Sequence, residues 1–197
     1  MDMKAVLSTT TTIAVALTCF GCTLDATQPG QDAESAASSE AALVPATWDA
    51  PPGNGVQTAD GGRLGALTVC RASYDGGQHP GKVWQGLCHF GWGGKARTTS
   101  SYEVLRSNGY RWVNPLVQSC FGSICTSSAP LPNNAVDGGD AGIAAGHVRL
   151  GICEGYSTGD GTWHPGKYYK EKCNFAWSTK EIAQDPTIYD IVRVLVQ

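Results

Sequence analysis

The sequence predicts an all-β fold: two tandem repeats related by pseudo-twofold symmetry, with antiparallel sheets around a shared core, braced by disulfides. Three observations lead there. The chain of 197 residues carries 25 glycines and 10 prolines, so turns are frequent and long helices are not expected. Its apolar runs are short and β-like, yet a hydrophobic content of 42% is enough for a sizeable core. Finally, four blocks of sequence recur in the same order.

Residues 1–21 read as a secretory signal peptide: Lys4, then a Thr- and Ala-rich apolar stretch from Leu7 to Leu17. That stretch is too short for a hydrocarbon layer of about 30 Å. In Cys19-Phe20-Gly21-Cys22, a small residue immediately before a cysteine resembles the lipobox of bacterial lipoproteins, with Cys22 as the lipidated residue. Cys19 and Phe20 stand where that motif has Leu and a small residue. The expected location is outside the cytoplasm, as an outer-membrane or cell-surface lipoprotein, otherwise as a secreted protein. Residues 22–46 are rich in Ala, Ser, Gln and acids, and cannot bury enough apolar surface to offset their ordering entropy. They read as a flexible tether.

The first repeat is placed at 47–109 and the second at 110–197. Cys70 through His79-Pro80-Gly81-Lys82 returns as Cys153 through His164-Pro165-Gly166-Lys167. Cys88-His89-Phe90-Gly91-Trp92 returns as Cys173-Asn174-Phe175-Ala176-Trp177. Tyr102-Glu103-Val104-Leu105 is matched to Tyr189-Asp190-Ile191-Val192, and Pro52 to Val56 leading to Asp60 is matched to Pro132 to Val136 leading to Asp140. Trp48 and Trp112 open the two units. The second unit carries about 16 extra residues after its Trp, and this insertion holds Cys120 and Cys125.

Within the units the candidate strands are 66–70, 82–84, 87–92 and 102–105, then 148–153, 168–177 and 189–196. The last alternates Ile191, Arg193 and Leu195 against Val192, Val194 and Val196. Apolar groups on both faces suggest a strand buried between layers.

Beyond Cys22 the cysteines are Cys70, Cys88, Cys120, Cys125, Cys153 and Cys173, an even number in a chain expected to be exported. The repeat singles out Cys70–Cys88, Cys153–Cys173 and Cys120–Cys125. Zinc is disfavoured, since no Cys-x-x-Cys pair occurs and the four histidines lack ligand spacing. No metal and no other cofactor is expected. The formal charge is 14 − 17 = −3 with no basic run, which argues against a nucleic-acid partner. Contact with a membrane is expected only through the lipid anchor, and a homodimer is left open.

The ordered blocks resemble the DM-nine repeat family, whose pattern includes Arg-Ala, Pro-Gly-Lys, Gly-Gly-Lys-Glu and Tyr-Glu-Val-Leu. Arg71-Ala72, Pro80-Gly81-Lys82, Gly93-Gly94-Lys95 and Tyr102 to Leu105 reproduce it in unit one. Pro132 to Val136, Gly139-Asp140, Pro165-Gly166-Lys167 and Lys180-Glu181 do so in unit two. Ala96 stands where the family has Glu, and Ser178-Thr179 replaces Gly-Gly. The resemblance implies metal-independent binding of a mannose-type glycan. Its implied sugar contacts are Asp140 and Lys167, with Asp60 and Lys82 as their counterparts.

Those residue types suit a neutral sugar on chemical grounds. A carboxylate accepts from vicinal hydroxyls, an ammonium donates to them, and Trp84, Trp92, Trp163 or Trp177 can cover the C–H face of the ring. The Pro-Gly steps read as turns holding each lysine, and His79 and His164 as residues packing those turns.

An enzyme is not expected. Gly155-Tyr156-Ser157-Thr158-Gly159 matches a nucleophile elbow only literally, and nothing sets the spacing that glycoside hydrolysis would need among Glu154, Asp160 and Asp140. The alternative is a structural or interaction protein of the cell envelope with no sugar ligand.

Overall fold

The computed structural model describes residues 43–52, 55–59, 62–106, 109–188 and 191–197. The expected signal segment, Cys22, most of the expected tether, Asp60, Tyr189 and Asp190 lie outside the described residues. All described residues belong to one compact unit, Ser39–Gln197.

Among them the regular structure is β, with two 3-10 turns at Gly62–Leu64 and Ile143–Ala145. The strands of the first half are β1 (Trp48–Asp49), β2 (Val69–Tyr74), β3 (Gly77–Trp84), β4 (Leu87–Trp92), β5 (Lys95–Thr99) and β6 (Glu103–Leu105). Those of the second half are β7 (Arg111–Val113), β8 (Val117–Phe121), β9 (Ile124–Ser128), β10 (Asp137–Asp140), β11 (Arg149–Ser157), β12 (Thr162–Tyr169), β13 (Lys172–Trp177), β14 (Lys180–Gln184) and β15 (Val192–Val196).

The main sheet runs β1-β6-β2-β3-β4-β5-β14-β13-β12-β11-β15-β7, an order that reads as one repeat followed by the other in reverse. β5 meets β14 at its centre, with Lys95 opposite Lys180. β10 pairs with both β11 and β3, closing the middle strands into an antiparallel barrel. β8 and β9 form a separate two-stranded hairpin. The all-β, pseudo-twofold expectation therefore holds.

Equivalent hydrogen bonds recur in both halves. Val56 N–H donates to Leu105 O at 2.8 Å, and Val136 N–H donates to Leu195 O at 2.9 Å. Trp48 lies opposite Leu105, and Trp112 opposite Leu195.

Strand pairing corrects one alignment. Cys70 lies opposite Val104, and its equivalent Cys153 lies opposite Val194. The counterpart of Tyr102 to Leu105 is thus Val192 to Leu195, three residues beyond the sequence match. The partner strand sets the register, and the turn at Pro186–Ile188 takes up the difference.

A second correction concerns the Pro-Gly steps, which are not turns. Pro80-Gly81 lies in the middle of β3 and Pro165-Gly166 in the middle of β12. Glycine is required there by close backbone approach: a Cβ on Gly81 would sit 2.2 Å from His89 O, and one on Gly166 2.2 Å from Asn174 O. The predicted single strand 168–177 is likewise two strands, reversed at Lys170 and Glu171, both with positive φ.

The disulfides are Cys70–Cys88, Cys153–Cys173 and Cys120–Cys125. The first ties β2 to β4 across β3, the second ties β11 to β13 across β12, and the third staples the β8–β9 hairpin. β15 divides the core as its alternation suggested. Val192 and Val194 pack with Cys153, Tyr168 and Phe175, whereas Leu195 packs with Val56, Val69, Leu105 and Ile152.

Candidate functional site

The lysine of each Pro-Gly-Lys lies on a central strand, and its side chain crosses to the other repeat. Lys82 Nζ donates to Ala176 O at 2.8 Å, and Lys167 Nζ donates to Gly91 O at 2.8 Å. Gly91 and Ala176 are equivalent residues, each preceding a tryptophan. Only 7% of Lys82 and 5% of Lys167 is exposed. A buried ammonium needs further partners, and here the two halves diverge.

Lys167 lies 2.9 Å from Glu181 Oε1, and the other carboxylate oxygen accepts from Gly94 N–H at 2.9 Å. Trp92 covers the ammonium, 5.0 Å from ring centroid to Nζ. Glu181 fits because Gly91 has no side chain: a Cβ there would lie 2.6 Å from Glu181 Cγ. In the other half the equivalents are Ala96 and Ala176, so no carboxylate stands at that place.

Lys82 instead meets His164, Nζ to Nδ1 2.6 Å. His164 Nε2 faces both oxygens of Asp160 at 3.1 Å, and Trp177 Nε1 donates to Asp160 Oδ2 at 3.0 Å. A carboxylate on Nε2 and an ammonium on Nδ1 select the tautomer protonated at Nε2. The result is a chain Asp160–His164–Lys82. Burial pulls the Lys82 ammonium down to about 8, partly opposed by the Asp160 charge. His164 is lowered by burial and by the Lys82 charge. Burial alone would raise Asp160, but hydrogen bonding to His164 and Trp177 holds it below the ordinary carboxylate range.

This chain of groups borders a cavity of about 400 Å³ whose wall includes Lys82, Trp84, Gln85, His89, Asp160 and Trp177. It offers an ammonium, a carboxylate, an amide and two indoles in one place.

The expected partners Asp140 and Lys167 are not brought to one pocket. Lys167 lies inside the barrel, paired as described. Asp140 borders a different cleft of about 670 Å³, walled by Arg71, Tyr74, Gln78, Asp137, His147 and Arg149. There it accepts from Gly142 N–H at 2.6 Å and lies 3.2 Å from His147 Nδ1. Asp60 lies outside the described residues. Of the three expected contacts among the described residues, Lys82 alone lines this cavity, and His164 links it there to the carboxylate of Asp160.

The other singled-out side chains find places in the packing. His79 and His164 stack on Phe90 and Phe175, with centroids 5.7 and 5.4 Å apart. They are thus core residues of strands, not of turns. Trp163 is nearly buried under the Arg193 guanidinium, 4.0 Å away. Ser157 is a buried residue of β11, not the apex of a strand-to-helix elbow. Glu154 is fully buried and accepts from Arg193 and from Ala59 N–H.

Asp160 is not among the expected contacts, although a sequence signal for its pairing with His164 is present. Asp75-Gly76-Gly77-Gln78-His79 and Asp160-Gly161-Thr162-Trp163-His164 share an Asp-Gly-x-x-His spacing just before Pro-Gly-Lys. On strands, that spacing returns the carboxylate to the histidine ring only in the second copy. His79 Nε2 faces the Tyr74 carbonyl instead, at 3.0 Å.

Fold and site together define a disulfide-braced all-β domain with a cavity of mixed polar and apolar lining between two related halves. The DM9 repeat family model matches residues 64–144, a stretch running from the first half into the second. Among solved structures the chain is similar to the nematode sperm cell motility protein MFP2B, with a TM-score of 0.52 and 14% identity. That likeness covers 79% of this chain and 46% of the other, so this chain spans about half of its length, and the likeness is one of fold. No curated protein matches the chain.

Proposed function

We propose that this domain binds a neutral, mannose-type carbohydrate without a metal ion, in the cavity beside Lys82. The observation that carries the reading is the meeting of Lys82 and Asp160, linked through His164, on a cavity walled by Trp84 and Trp177. Asp160 is 24% exposed at its side chain and retains acceptor capacity for sugar hydroxyls. The Lys82 ammonium has a third N–H beyond those given to His164 and Ala176, and this can donate to a hydroxyl. Trp84 and Trp177 supply apolar faces for the C–H side of a pyranose. The cavity volume lies within the roughly 300–1,000 Å³ of small-molecule sites.

In this reading only the Lys82 side binds, because Glu181 occupies the equivalent place beside Lys167. The reading assigns the chain no catalytic step. Export and anchoring through Cys22 belong to the same proposal and rest on the N-terminal sequence; display of many anchored copies would raise a weak single-site affinity by avidity.

A glycan array followed by calorimetric titration of the hit tests the reading, using wild type, Asp160→Asn and Trp84→Ala. Asp160→Asn keeps the shape of the side chain while removing its charge. Binding with one site per chain, weakened about tenfold or more by each variant, is expected from loss of a charge-assisted bond or an aromatic face. Binding unchanged in both variants would move the site elsewhere. Absence of binding by the folded, multivalently displayed protein would favour the structural role.

A further inference from the structure

The β8–β9 hairpin is the part of the molecule that the cavity does not use. It is the insertion of the second repeat, and every one of its strand residues is exposed. Phe121 lies opposite Ile124 in register, and the disulfide pair Cys120 and Cys125 is the next rung. Successive rungs of a hairpin project to opposite faces. Phe121 and Ile124 therefore share one face of the tip, while the disulfide braces the other. These two side chains are 92% and 72% exposed. From Val113 to Val136 the chain contains no Asp, Glu, Lys, Arg or His.

A two-stranded hairpin standing alone is marginal in water. This one is held at its tip by the disulfide and at its base by two hydrogen bonds. Leu116 N–H donates to Asn114 Oδ1 at 2.8 Å, and the Tyr168 hydroxyl donates to Ala129 O. A disulfide-braced hairpin that ends in two exposed apolar side chains is thus built into the fold.

We propose that this hairpin tip inserts Phe121 and Ile124 into the interfacial layer of a lipid bilayer. Three features select lipid over a protein partner. The stretch carries no ionised side chain, the kind of group whose desolvation most strongly opposes entry into a bilayer. The tip is too small for a stable protein interface, which buries about 800 Å² per partner and is rich in Tyr, Trp and Arg, none of which occurs on the hairpin. Lipid insertion requires no such area, because each apolar side chain leaving water contributes on its own. Depth is limited by the backbone: the outer edges of both strands carry unpaired groups that must stay with water or headgroups, so only the tip enters. This proposal does not depend on the sugar site.

The test uses the chain from Thr23, which lacks the expected signal segment and acylation site and retains the compact unit Ser39–Gln197, with its disulfides formed. Flotation with pure phosphatidylcholine vesicles is compared between this protein and the same protein with Phe121→Ser/Ile124→Ser. The expected result is flotation of the former that persists in high salt, reduced roughly tenfold or more in the latter. A Phe121→Trp variant should gain a fluorescence component quenched by brominated phosphatidylcholine. Equal flotation with and without the two apolar side chains would overturn the proposal, as would no flotation of the parent protein. Flotation of the Phe121→Trp variant without quenching of the added indole would overturn it too, since the membrane contact would then lie elsewhere.

Discussion

Lys167 and Glu181 form a buried ion pair at 2.9 Å, while the equivalent of Glu181 in the other repeat is Ala96. Lys167 thus has a carboxylate partner that Lys82 lacks at the equivalent place, where Lys82 meets His164 instead. Glu181→Ala would leave the Lys167 ammonium buried without its carboxylate, and the expected loss is about 3–5 kcal/mol in urea denaturation.

The converse change needs two substitutions. Gly91 accommodates Glu181 because it lacks a Cβ, and its equivalent Ala176 does not. Ala96→Glu together with Ala176→Gly should rebuild the ion pair beside Lys82 and weaken any sugar binding that depends on its ammonium. Ala96→Glu alone should destabilise by about 1–3 kcal/mol through overpacking. Denaturation and calorimetric titration of both proteins check this.

Lys82 should make stability depend on pH in the alkaline range. Its folded pKa is about 8, against an ordinary value of 10.5. Between those values the unfolded chain binds more protons, so stability rises as pH increases from 8 towards 10.5 and falls again as pH returns through 8. The contribution is on the order of 3 kcal/mol. The difference in unfolding free energy between wild type and Lys82→Met, measured at a series of pH values across that window, should show this slope. A pH-independent difference would contradict it.

Gly166→Ala should be among the most damaging small substitutions in the chain. Its Cβ would lie 2.2 Å from Asn174 O and 2.8 Å from Phe175 Cβ. Neither can move without shifting β13, so a loss of about 3 kcal/mol or failure to fold is expected. Gly93, which has open space around it, serves as a control: alanine there costs about 1 kcal/mol through its positive φ alone. Thermal melts of the two variants distinguish these outcomes.

The disulfides should not be equivalent. Replacing Cys70 and Cys88 by Ala releases a link across 18 residues inside the core and should cost roughly 3 kcal/mol. Replacing Cys120 and Cys125 acts on an exposed hairpin that can loosen locally, so the domain should lose under about 1 kcal/mol. Unfolding of each double variant under non-reducing conditions measures the contrast.

Much of the architecture was legible because it is written locally and twice. Short apolar runs and frequent glycines point to β structure, and repeated cysteine spacing pairs Cys70 with Cys88 and Cys153 with Cys173. The alternation in Val192 to Val196 announces a strand with two buried faces. The Pro-Gly steps misled for a physical reason. In isolation that dipeptide favours a turn, yet here glycine answers a neighbouring carbonyl, His89 O or Asn174 O, that comes close only after the strands pair. The charge pairs show the same limit. Arg71–Glu103 in one half is replaced by Glu154–Arg193 in the other, with the signs exchanged between strands. Similarity between the two copies cannot reveal such an exchange, because it compares residues one by one and the pair exists only across the sheet.

By itself the sequence determined the class of fold, the repeat, the disulfide pairing and the equivalence of the two Pro-Gly-Lys lysines. Tertiary structure alone decided what those lysines do, because each reaches into the opposite repeat. Lys82 meets His164, 82 residues away, and Lys167 reaches Gly91, 76 residues away. Their environments depend on which small or acidic residue the other half presents. Local spacing carries no record of that choice, and barrel closure is what sets Glu181 beside one lysine while leaving a cavity beside the other.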